Sequence, residues 1–127
     1  MSRGILDTSV LIANDLTPVP GELAISVVSL AELSFGVLIA KTEEARALRL
    51  ARLTALQRRF DALPVDDAVA DSYARLAARV VQIGRQPRAR VMDLLIAATA
   101  HAHGAAVYTR NADDLAGLED LVPVVAI

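Results

Sequence analysis

Short apolar, often β-branched stretches recur along this chain, separated by longer segments with helical spacing. That alternation constrains the fold more than any other feature. Runs this short suit strands covered on both faces, as in a parallel sheet sandwiched between helices. Ile5 and Leu6 read as a strand ending at Asp7; AISVV (24–28), AAVYT (105–109) and VPVVAI (122–127) read as further strands. Between them, Ser29 opens SLAELSFGVLIA (29–40), where Leu30, Leu33, Val37 and Leu38 recur at helical intervals. Thr42 caps EEARALRLARLTALQRRF (43–60), with glutamates early and arginines later, as the helix dipole favours. Asp66 or Asp67 caps AVADSYARLAARVVQI (68–83), which Gly84 ends; MDLLIAATAHAH (92–103) stops at Gly104. LTPVPGEL (16–23) is a loop and RQPRAR (85–90) a basic loop. Leu63-Pro64-Val65 is a break or short strand, and NADDLAGLE (111–119) a turn or short helix. These elements predict a single α/β domain with a mainly parallel sheet.

Composition narrows the chemistry. Of 127 residues, 54% are hydrophobic but only 3% aromatic, so Ala, Val, Leu and Ile must build the core. A net charge of −2 confines any nucleic-acid surface to a local patch. The absence of cysteine excludes disulfides, zinc–thiolate sites and thiol nucleophiles. Neither a signal peptide nor an apolar run long enough for a bilayer is evident, so the expected location is the cytoplasm.

In a parallel sheet, ligands bind beyond the carboxyl ends of the strands, where strand order reverses. Asp7 stands at such an end, in the apolar run GILDTSVLIA (4–13). It is either the N-cap of the next helix or a functional carboxylate. Glu32 follows Ser29 by three residues, a capping box that would turn its carboxylate back towards the same edge. Asp93 sits in the first turn of a helix that is apolar on nearly every side, and a buried carboxylate there needs a partner. Asn111, Asp113 and Asp114 follow a strand directly, in a segment that alone would be an ordinary polar turn. Gathered at one edge, these groups would repel one another unless a hard divalent cation, magnesium or manganese, lay between them. Such a site suits phosphoryl chemistry.

LDTSVLIA, VVSLAELSFGV and DLLIAATAHAHGAAVYTRNADDL, in this order and spacing, resemble the signature segments of PIN-domain ribonucleases, specifically the VapC-type toxins of bacterial toxin–antitoxin pairs. The resemblance implies a three-layer α/β/α fold and a magnesium- or manganese-dependent endoribonuclease. It matches Asp7, Glu32 and Asp93 to the family's core acids, with Asp7 and Asp93 the usual direct metal ligands and Glu32 beside them. The fourth position stays open among three residues: Asn111 stands where many relatives carry Asp, an N-x-x-D form points to Asp114, and Asp113 is a further candidate. Ser9 and Thr109 match small hydroxyl residues lining such sites, Ser9 being placed to orient Asp7. Thr8 matches too, although local backbone capping accounts for it. The resemblance further implies a VapB-type antitoxin docked between the early helices, and a homodimer.

Arg85, Arg88 and Arg90 precede Asp93, and Arg110 adjoins Asn111, so a solvated basic loop doubles as a candidate RNA phosphate contact. Phe35, Phe60, Tyr73 and Tyr108 are the only aromatics, too few for recognition by base stacking. Two residues apart on a helix, His101 and His103 point in different directions and share no ion. A phosphate-accepting response regulator would need a lysine beside the acids, and the only lysine, Lys41, lies at a helix junction. A haloacid-dehalogenase-type phosphatase would need a second Asp where Ser9 stands. A catalytically weak or inactive PIN-like RNA-binding module is the remaining alternative, kept open by the neutral Asn111.

Overall fold

The computed structural model describes residues 3–13 and 19–127. Four strands, β1 (Arg3–Leu6), β2 (Glu22–Ala24), β3 (Ala106–Thr109) and β4 (Val124–Ala126), form a parallel sheet in the order β2-β1-β3-β4. The helices are α1 (Thr8–Leu11), α2 (Val27–Leu38), α3 (Glu43–Arg59), α4 (Asp67–Gln82) and α5 (Val91–Ala102). Two short 3-10 turns, Pro87–Arg90 and Ala112–Leu115, complete the described elements.

Alternation along each strand creates the layers, because successive side chains leave a strand on opposite faces. Ile5 and Val107 join the main core with α4 and α5, whereas Leu6 and Tyr108 meet Val10, Ile25 and Leu30 on the other face. The result is the expected three-layer α/β/α arrangement. Helix α5 is its central support: Leu94, Ile96, Ala97, Ala98 and Ala100 are all buried. Burying Leu94 and Ile96 stabilises the fold by roughly 1.5–3 kcal/mol each. The buried alanines that follow, Ala97, Ala98 and Ala100, let the helix lie close to its neighbours.

The second strand differs from the expectation of 24–28. It runs over Glu22–Ala24, so Glu22 and Leu23 belong to the sheet rather than to a loop, while residues 16–18 of that predicted loop lie outside the described ones. Val27 and Val28 are helical, because Ser26 caps α2 by accepting the Val28 amide at 3.0 Å. Leu63 fixes this turn from outside, its carbonyl accepting from Val27 N at 3.0 Å and its amide donating to Ile25 O at 2.8 Å. Tertiary pairing and a serine cap together override the β-propensity of the two valines. The break at Leu63 is accordingly a single parallel bridge to Ser26.

Helix α3 leaves much of its apolar surface uncovered. Leu53 is buried, but Leu48 is 66% exposed and Leu50 50% exposed. The helix lies against α2 and away from the sheet.

Candidate active site

Strands β1 and β3 are neighbours, and the chain leaves β1 towards β2 on one side while β3 and β4 lie on the other. The reversal of strand order therefore falls between β1 and β3, and the crevice at their carboxyl ends is where ligands bind in such sheets. Asp7 and Thr109 mark those two ends.

Asp7 is only 9% exposed. It caps α1, its Oδ1 accepting from Val10 N at 3.4 Å, and the Ser9 hydroxyl donates to the same oxygen. Ser9 Oγ in turn accepts from Arg110 N at 2.9 Å and lies 3.4 Å from Thr109 Oγ1. Thr109 Oγ1 accepts the Asn111 amide at 2.9 Å. Ser9 thus ties the start of α1 to the end of β3 and fixes the Asp7 carboxylate, the support that keeps a catalytic group aimed.

Glu32 is held by a residue whose side chain was expected to do no more than cap. The Thr8 hydroxyl donates to Glu32 Oε1 at 2.6 Å and lies 3.0 Å from Ser29 Oγ. The capping box is overturned: Ser26 is the N-cap, and Ser29 sits buried inside α2. The carboxylate crosses to α1 instead of returning to its own helix start.

Asp93 lies in the first turn of α5, half-buried. Burial first, then the negative charges of Asp114, Glu32 and Asp7, raise its carboxyl pKa above the ordinary range, against the opposing pull of Arg90. Asp7, Glu32 and Asp114 are therefore all close enough for their charge to act on Asp93. Asp114 forms an ion pair with Arg90 at 2.6 Å. Asn111 and Asp113 are exposed beside it, and of the three only Asp114 is among the charges that act on Asp93.

Arg88 and Arg90 join Glu32 and Asp93 around a cleft of about 330 Å³. Arg110 and Asn111 line an adjoining one of about 360 Å³ with Asp113 and Asp114. Arg85 lines neither; its amide closes the end of α4 on Val80 O. The histidines stay outside the site, with His101 Nδ1 2.8 Å from Ser72 Oγ between α4 and α5. Among the described residues, no three carboxyl or imidazole groups close tightly enough to bind one ion together. The donor chemistry nonetheless suits a hard divalent cation: oxygen donors only, in excess negative charge, with the Asp93 carboxyl pushed up by burial and then by its acidic neighbours.

Residues 5–119 match the PIN domain family. The chain belongs to that family. This PIN domain is 42% identical to Ribonuclease VapC5 of Mycobacterium tuberculosis, over 97% of the chain and 93% of that protein. It is 38% identical to Ribonuclease VapC4 of the same organism, over 94% and 93%. In three dimensions it is similar to a chain in the crystal structure of VapBC-5, a toxin–antitoxin member from M. tuberculosis, with a TM-score of 0.87, 41% identity and full coverage of both chains. A chain of the FitAcB structure from Neisseria gonorrhoeae superposes with a TM-score of 0.77 at 26% identity, covering 96% of each.

Proposed function

We propose that this PIN domain is a metal-dependent endoribonuclease, the toxin of a toxin–antitoxin pair, built as one domain and working in the cytoplasm. The charge of Asp7, Glu32 and Asp114 acting on Asp93, near the strand-order reversal, supports this reading. The names of the related ribonucleases and the toxin–antitoxin structures support it. Asp7, Glu32 and Asp93 would hold magnesium or manganese, with Asp114 completing the acidic floor. When bound, such an ion supplies an activated water and neutralises charge developing on the phosphate.

The chain's own residues do the rest. Ser9 keeps Asp7 pointed into the crevice, and Thr8 keeps Glu32 there. Arg88, Arg90 and Arg110 contact RNA phosphates at the rim; Arg85, which lines neither cleft, adds a more distant charge. Arg90 balances Asp114 until a phosphate competes for its guanidinium. Phe35, Leu38 and Ile39 leave a large apolar surface exposed on and just after α2, which suits a VapB-type antitoxin and, with the exposed leucines of α3, a homodimer. No described helix is long and apolar enough to cross a membrane.

Cleavage of total cellular RNA by the purified chain tests the proposal. Cleavage should stop with EDTA, return with manganese, and be absent from the Asp93→Asn protein. Undiminished cutting in EDTA, or by Asp93→Asn, refutes it.

A further inference from the structure

An endonuclease must hold its strand on both sides of the bond it cuts, and Arg88 and Arg90 share one cleft with Glu32. A second groove, of about 500 Å³, opens between α2 and α3. Thr8, Glu32 and Gly36 line it, with Arg49 and Arg52 from α3. Glu32 therefore borders this groove and the cleft of Arg88 and Arg90 alike. Resting on the ribonuclease reading, we propose that this groove is a second phosphate subsite, in which Arg49 and Arg52 bind the RNA backbone leaving the cleavage position.

Two independent features support that occupant. Arg49 and Arg52 stand three apart on a helix, hence on one face. Arg49 is braced there by donating from Nη1 to Gly36 O at 2.6 Å. That bond satisfies one of the last carbonyls of α2 and uses one of five N–H donors on a guanidinium suited to phosphate. The second feature is Gly36 itself. A glycine within a helix is destabilising relative to alanine, yet a Cβ added here would meet nothing within 4 Å. No neighbour in the chain requires the missing side chain; the space it leaves lies in the groove, open to a ligand approaching the backbone.

The test is binding of a short fluorescein-labelled RNA of mixed sequence to the full chain in EDTA, followed by anisotropy across a salt series. Arg49→Gln/Arg52→Gln should weaken binding about tenfold and reduce the salt slope by about 1.4, the loss of two single-strand phosphate contacts. The charge-matched control Arg58→Gln/Arg75→Gln, outside the groove, should leave the slope unchanged. Gly36→Glu should raise Tm, since the helix gains a better former, while weakening RNA binding through a carboxylate in the groove. Stability and binding then move in opposite directions, which a folding defect cannot produce. Wild-type affinity and slope in both groove variants overturn the inference, as does a wild-type chain that does not bind RNA. Intact RNA binding with loss of a co-expressed protein partner would assign the groove to that partner and overturn it equally. Because binding is read without metal, a chain that holds RNA through these arginines but cuts nothing would sustain the subsite and refute the nuclease.

Discussion

The hydroxyl of Thr8 is the contact that sets the position of Glu32, and Thr8→Val removes it with little change in volume. Its single proton goes to the Glu32 carboxylate at 2.6 Å. A hydrogen bond to a charged group contributes about 1.5–3 kcal/mol, and part-exposure of this pair reduces that to about 1–2 kcal/mol. At about 2.1 cal/mol/K of unfolding entropy per residue, a chain of 127 residues should lose about 4–7 °C in Tm. Supporting residues of this kind typically contribute 10- to 100-fold to activity, so cleavage should fall by about that factor. Ser29→Ala is the control: it removes the hydroxyl 3.0 Å from Thr8 without touching the bond to Glu32. Thermal denaturation and initial cleavage rates of both variants decide the matter. A Thr8→Val protein with wild-type Tm and rate would show that Glu32 is placed by other forces.

The raised carboxyl of Asp93 implies a pH dependence. The folded chain holds that proton more tightly than the unfolded one, so the associated stability is present at acid pH and lost as pH rises through the folded value. In metal-free buffer Asp93→Asn should therefore have the higher Tm at neutral pH, with the difference vanishing on acidification; a lower Tm at neutral pH would contradict the crowding of charge around Asp93. Gly4→Ala would place a Cβ 2.6 Å from Tyr108 Cε1 and 3.2 Å from Leu23 Cδ2. Overpacking of this kind costs about 1–3 kcal/mol, and Tyr108→Leu in the same chain should recover part of it, as a double-mutant denaturation cycle would show.

Much of this architecture was legible in the chain because local and global preferences agree. The caps at Thr42 and Asp66, the stop at Gly104, and the strands near Ile5, Val107 and Val124 all follow from residue type and periodicity. Sequence reasoning failed at Val27 and Val28, where two β-branched residues start a helix because Ser26 and the distant Leu63 hold the turn. It failed again at Ser29 and Glu32, whose spacing mimics a capping box while the carboxylate bonds to Thr8, 24 positions away. Spacing reports contacts within one element; a contact between α1 and α2 leaves no local signature. For the same reason the ion pair between Arg90 and Asp114 could not be foreseen, although it separates Asp114 from Asp113 as the acid beside Asp93. Nor could spacing show that Arg85 closes a helix end while Arg88 and Arg90 line the cleft.

Direct titration of manganese into the metal-free chain tests the central claim without reference to any RNA. Wild type should bind the ion, and Asp7→Asn, Glu32→Gln and Asp93→Asn should each weaken it by at least about tenfold, on the order of 1.4 kcal/mol. Unchanged affinity in all three variants, or no binding by the wild type, would contradict the account.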